Sequence, residues 1–109
     1  ILRQESKEAD PVRRLAETYL YNLMCPRMYE QYPQRFELIM DLIKKSEAQG
    51  AVLFHNKFCD LHGIENVKLR IDLEEEGIPV LLLEKEYGAN ADIGRLKTRV
   101  QAFLERIKR

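Results

Sequence analysis

At 109 residues the chain fits one domain with a modest core, and its 45% apolar and 33% charged content is that of a globular protein. Eighteen basic residues balance eighteen acidic ones, so charge points neither to nucleic acid nor to an anionic membrane, and no acidic tail marks a solvating segment. The longest apolar runs, such as residues 80–83, are far too short to cross a bilayer, and no secretory signal pattern opens the chain.

Asp10-Pro11 predicts a helix start, with Asp10 as N-cap and Pro11 at the first helical position. Leu15, Tyr19 and Leu23 share one face of this helix, and Cys25-Pro26 ends it, because the residue before a proline is pushed out of the helical region. Residues 29–33 read as a connector. A second amphipathic helix is expected over 34–48, with Phe36, Ile39, Met40 and Ile43 on its buried stripe and Gly50 as its stop. The apolar run 51–58 predicts a strand, followed by a loop through Cys59, Asp60, His62 and Gly63. Residues 65–76 predict a charged helix carrying Val67, Leu69, Ile71 and Leu73, closed by Gly77. Residues 79–84 predict a second strand, whose unbroken apolar run fits a parallel strand covered on both faces. A loop at 87–91 leads to a final helix over 92–108, with Ile93, Leu96, Val100, Phe103, Leu104 and Ile107 in register.

The order α-α-β-α-β-α implies an α/β fold: a partial Rossmann or flavodoxin-like parallel sheet flanked by helices. Residues 1–109 are expected to form a single domain, with a helical lead-in over 1–49 and a β-α-β-α core over 50–109. Two strands make a sparse sheet for a free-standing fold of this kind. A third strand within residues 1–10 would have to overcome their charge. The opening at Ile1 rather than methionine also fits the carboxyl-terminal lobe of a larger subunit.

In open parallel sheets, ligands gather beyond the carboxyl ends of the strands, where Cys59 and Asp60 follow the first predicted strand. Cys59 is open to four roles: metal ligand, redox thiol, nucleophile or packed core residue. His55, Lys57 and His62 are near enough in sequence to favour a thiolate. Cys59 and His62 form a C-x-x-H pair, but no second pair completes a structural zinc site. The chain's two cysteines, Cys25 and Cys59, cannot alone supply an all-thiolate iron–sulfur cluster. They form no disulfide framework either, which favours a cytoplasmic location with reduced thiols. Cys25 reads as a small buried residue at a helix end, and His55 as a satisfied histidine near the sheet end. Arg95 and Arg99, four residues apart, read as a solvated helix face rather than an anion clamp. No dinucleotide, phosphate-loop or H-E-x-x-H motif occurs.

Three segments carry a family resemblance: Gly50-Ala51-Val52-Leu53-Phe54-His55-Asn56-Lys57-Phe58-Cys59-Asp60, Glu76-Gly77-Ile78-Pro79-Val80-Leu81-Leu82-Leu83-Glu84, and Gly94-Arg95-Leu96-Lys97-Thr98-Arg99-Val100-Gln101-Ala102-Phe103-Leu104-Glu105. In order and spacing they resemble the end of the 2-hydroxyacyl-CoA (2-hydroxyglutaryl-CoA) dehydratase and benzoyl-CoA reductase subunits. Asp10-Pro11, Ala16-Glu17 and Cys25-Pro26-Arg27-Met28 fit the same family. The Lys57-Phe58-Cys59-Asp60 element followed by the Gly77-Ile78-Pro79 strand is its most specific part.

The resemblance implies a [4Fe–4S] cluster held by three cysteines, with one iron open to water or a thioester carbonyl. Cys59 maps onto the last of these ligands; the other two belong to an amino-terminal domain of the family. It further implies an acyl-CoA substrate, a sister subunit in a heterodimer, and an ATP-dependent activator protein as electron donor. One-electron, ketyl-radical dehydration, or ring reduction in the reductases, is the implied chemistry. His55, Lys57 and Asp60 become candidates for tuning the cluster from beside its ligand, and Glu84 and Tyr87 could face the same crevice. By itself the stretch is expected to be inactive and cluster-free. Departures lie in a slightly shorter turn before Cys59, Leu61 in place of a frequent proline, Lys85-Glu86 in place of Thr-Asp, and Lys97 in place of arginine. Cys25 matches a family Cys-Pro without acquiring a ligand role. An activator-fused electron carrier and a non-catalytic flavodoxin-like interaction module are the competing readings.

Overall fold

The computed structural model describes residues 6–86 and 93–108. Its elements are α1 (Pro11–Asn22), a 3-10 turn (Tyr29–Gln31), α2 (Tyr32–Lys45), β1 (Ala51–Asn56), α3 (Asp60–Glu75), β2 (Val80–Lys85) and α4 (Ile93–Ile107). This is the α/β order expected from the sequence. β1 and β2 form a two-stranded parallel sheet in the register Ala51 to Val80 through Asn56 to Lys85. The expected loop at 87–91, Tyr87 and Asp92 lie outside the described residues.

Several boundaries move for identifiable reasons. β1 stops at Asn56 rather than Phe58, because the chain turns: the Cys59 amide donates to Asn56 O at 3.0 Å, and Phe58 takes a left-handed φ of 65°. α3 starts at Asp60, so the expected loop through His62 and Gly63 is helical from its first residue. Asp60 places a carboxylate at the helix's positive end, and the ~1 kcal/mol propensity cost of Gly63 is outweighed by tertiary packing. α2 begins at Tyr32, not Gln34, because a proline in the first turn needs no donor. It also ends at Lys45 rather than Ala48, and its left-handed closing residue is Glu47 (φ 51°) rather than Gly50. Gly50 meets a different constraint: a Cβ there would lie 2.9 Å from Phe103 Cζ and 3.1 Å from Pro79 O. Gly77 does close α3 as expected, at φ 79° with the Ile78 amide on Leu73 O at 2.9 Å.

The core is small. Leu69, Leu73, Val80, Leu83, Phe103 and Tyr32 are its buried apolar residues. On α3 the buried face is Asn66, Leu69 and Leu73, spaced three and four apart, so Val67 and Ile71 turn outward and remain half exposed. In β2, Val80 and Leu83 are both buried and point to opposite faces, which bears out two-sided cover. β1 differs: Val52 and Phe54 remain 52% exposed. α3 packs across both strands and α4 packs against β2. The Phe36, Ile39, Met40 and Ile43 stripe of α2 is only half-buried, and α1 buries no residue, leaving Leu15, Tyr19 and Leu23 exposed. Accordingly the radius of gyration is 17.0 Å, against ~13 Å for a compact domain of this length.

Two polar locks attach α2 to α3. The buried Arg35 guanidinium makes a two-pronged contact with Glu65, Nε to Oε1 at 2.9 Å and Nη2 to Oε2 at 3.0 Å. Its Nη1 also donates to Cys25 O at 3.0 Å and Met28 O at 2.9 Å, satisfying the turn after α1. Two turns further along α3, the Tyr32 hydroxyl donates to Asp72 at 2.6 Å, and Lys68 pairs with the same carboxylate at 2.9 Å. The Tyr32 hydrogen bond, then Lys68, hold the Asp72 carboxyl below its ordinary range. Burial first, then the bond to Asp72, push the Tyr32 phenol up.

Removing one member of a buried ion pair strands its partner, so Arg35→Ala is expected to cost ~3–5 kcal/mol of folding stability. Urea denaturation checks this, and a loss below ~1 kcal/mol would mean that Glu65 finds water or another partner. A lowered carboxyl pKa contributes stability that is present above the unfolded-state value and is lost as pH falls through the folded one. Asp72→Asn should therefore flatten the acid limb of the stability profile below about pH 4. An acid limb identical to the parent's would remove Asp72 from that role.

Candidate functional site

β1 and α3 meet at a tight connection. The strand ends at Asn56, Lys57 and Phe58 turn, and Cys59 occupies the N-cap position of α3 with its carbonyl accepting from the Gly63 amide at 2.8 Å. The Cys59 side chain makes no capping bond, which leaves the sulfur to other uses. It is a partly buried free thiol beside the positive end of a sixteen-residue helix, where an anionic ligand is favoured.

The turn is strained at Phe58, a bulky residue held at φ 65° while 82% exposed. Left-handed geometry costs ~1–2 kcal/mol for such a side chain, and such outliers gather where function fixes the backbone. Lys57 lies 5.6 Å over the Phe58 ring, and its ammonium pairs with Glu86 at 2.7 Å. That carboxylate raises the lysine's pKa, first by hydrogen bonding and then by its charge.

At the carboxyl ends of both strands, His55, Phe58, Cys59, Asp60, Gly63, Ile64 and Glu84 line a shallow crevice of about 180 Å³. The register sets His55 opposite Glu84, on the sheet face that α3 covers. The His55 side chain is 10% exposed, with Nε2 3.7 Å from Glu84 Oε1 and Nδ1 3.2 Å from the Asn66 amide nitrogen. Thus Cys59, His55, Asp60 and Glu84 line one crevice. Lys57 is turned to Glu86 and is not among the lining residues. His62 is exposed on α3. Cys25 lies in a separate apolar groove with Leu15, Tyr19 and Leu23. On the far side of Asp60, Pro26, Tyr29, Tyr32, Leu61 and Ile64 form another apolar hollow of about 240 Å³. Arg99 donates to Leu82 O at 2.8 Å, so it serves the β2 edge rather than an anion.

Asn66 was missed by sequence reasoning. Its signal is a polar residue three before Leu69 and seven before Leu73, on the buried face of α3, where an amide needs a partner.

Residues 1–107 match the family described as 2-hydroxyglutaryl-CoA dehydratase, D-component. The chain belongs to this dehydratase family. It is 33% identical over 95 residues to the (R)-phenyllactyl-CoA dehydratase beta subunit of Clostridium sporogenes, a match covering 87% of this chain and 25% of that protein. It is 26% identical over 73 residues to the putative dehydratase subunit YjiM of Escherichia coli (strain K12), covering 66% of this chain and 19% of that one. The chain thus spans about a quarter or less of the length of these dehydratase relatives. No described helix is long and apolar enough to cross a membrane.

The donor set can be compared with the iron–sulfur cluster expected from the resemblance. Cys59 offers the soft thiolate that such clusters take, in a crevice with His55 beside it. Among the described residues, no group of three or more His, Cys, Asp and Glu side chains could hold a metal ion. The crevice holds one soft sulfur donor, which is a single corner of such a cluster and no more.

Asparagine tolerates left-handed backbone far better than phenylalanine. Phe58→Asn is therefore expected to raise folding stability by up to ~1 kcal/mol, read as a higher thermal midpoint. A fall instead would show that the exposed ring contributes packing that outweighs the strain.

Proposed function

We propose that this chain is the cluster-proximal lobe of a 2-hydroxyacyl-CoA dehydratase subunit and that Cys59 supplies one thiolate to a [4Fe–4S] cluster. The observation that supports this most directly is the position of Cys59. It stands at the carboxyl end of β1 and the start of α3, in the crevice that also holds His55 and Glu84. Membership of the dehydratase family and likeness to two dehydratase subunits support the reaction class. The remaining protein ligands would come from outside the described residues, so residues 1–109 alone would bind no cluster and catalyse nothing.

When bound, such a cluster supplies low-potential electrons and an open iron that acts as a Lewis acid, the requirements of ketyl-radical dehydration of an acyl-CoA. The chain's own contribution is positional. Its strained turn sets the direction of the Cys59 side chain, and α3 places its amino-terminal dipole beside the sulfur. Asp60 forms the rim between the crevice and the apolar hollow next to it. A sister subunit, an ATP-dependent activator as electron donor and a cytoplasmic setting complete the proposal. The first two follow from the resemblance, and one relative is itself named as a beta subunit. Residues 1–49 would form the helical lead-in and 50–109 the β-α-β-α core of this lobe.

Cys59→Ser in the complete subunit, purified without oxygen, is expected to lose most of its iron and its broad visible absorbance. Iron content and spectrum equal to the parent's would falsify the ligand assignment.

A further inference from the structure

The crevice holds a side chain whose hydrogen-bonding direction is set from two sides. His55 is the next-to-last residue of β1, with nine-tenths of its side chain buried. Its Nδ1 faces the amide nitrogen of Asn66, which is itself 6% exposed on the inner face of α3. An amide nitrogen only donates, so Nδ1 is the acceptor and the ring proton sits on Nε2. Turning the Asn66 amide over would reverse this. Nδ1 would then carry the proton, and the bare Nε2 lone pair would face the Glu84 carboxylate 3.7 Å away. Two acceptors facing each other repel, so Glu84 and Asn66 favour the same tautomer.

The Nε2–H formed this way is underused. At 3.7 Å, Glu84 is close enough to orient it but too far to be a full hydrogen-bond partner. Among the described residues nothing else accepts from it. Gly63 leaves room beside it, where an added Cβ would come into van der Waals contact with Nε2 at 3.9 Å. The crevice that His55 shares with Cys59 measures about 180 Å³, below the roughly 300–1,000 Å³ of small-molecule pockets. A compact acceptor suits it better than a coenzyme thioester does.

We propose that His55, held as the Nε2–H tautomer by Asn66 and Glu84, is a positioning residue that donates a hydrogen bond to sulfur at the Cys59 site. This rests on the cluster-ligand reading above and deepens it. Of the three candidates beside Cys59, it selects His55, because Lys57 is committed to Glu86 and Asp60 can only accept when ionised. A donor to a cluster sulfur stabilises the reduced, more negative state, so it raises the reduction potential. His55 would make the electron easier to accept, with no proton transfer required of it.

The test uses the complete, cluster-loaded subunit and reads its midpoint potential by spectroelectrochemistry beside its iron content. His55→Phe and Asn66→Leu should each keep the iron and shift the potential to more negative values. His55→Gln retains an N–H donor and should recover most of that shift. A His55→Phe protein with full iron and an unshifted potential overturns the donor role. Loss of iron in Cys59→Ser reads the ligand assignment independently, so the two failures are distinguishable. If His55→Phe does not fold, ring-nitrogen NMR of the cluster-free, 15N-histidine-labelled subunit decides. An Nε2-protonated His55 that becomes a tautomer mixture in Asn66→Leu supports the lock, and an Nδ1-protonated ring in the parent overturns it.

Discussion

The helical half of the chain and the sheet half are joined through the buried guanidinium of Arg35. Its planar fork matches the Glu65 carboxylate at two points, and another nitrogen bonds two carbonyls in the turn after α1. A lysine could not reproduce this pattern, because a point charge lacks the fork. Glu65 lies one turn into α3, and the first residue of that helix follows Cys59 directly. The angle at which α3 leaves the strand, and hence the setting of Cys59 and Asn66, is therefore tied to α2. Tyr32 and Asp72 repeat the attachment further along the same helices.

The sheet and helix order were legible because periodicity survives even in a charged sequence. The apolar run of β2 and the stripe of α4 each matched one period only, and Asp10-Pro11 and Gly77 marked ends by backbone chemistry. What misled was punctuation in the middle of the chain. Gly63 and the polar residues around it suggested a loop, yet α3 runs through them, since contacts with both strands outweigh a weak local preference. Gly50 suggested a helix stop, whereas its lack of a side chain makes room for Phe103. Nothing local to residue 50 announces a ring that arrives from residue 103.

Of the candidate site, the cysteine and its place beyond β1 could be read from the sequence, as could the nearness of His55, four residues before that cysteine. Glu84 was legible once the strands were taken as parallel and in phase. Asn66 was not, because its meaning depends on which face of α3 is inward, and the sequence there offered Val67 and Ile71 as equally good apolar choices. The separation of Lys57 from the crevice was likewise a matter of competition. Glu86, on the neighbouring chain segment, captures the ammonium.

The twelve residues of α1 place it at the length where an isolated helix is marginal in water. It has a good amino-terminal cap, Asp10 accepting from the Val12 amide at 2.8 Å, but no buried side chain to stabilise it. Helical content in this segment is consequently conditional: it rises when something covers Leu15 and Tyr19 and falls when they stand in solvent. Burial of that face would supply the stabilisation that a helix of this length lacks on its own.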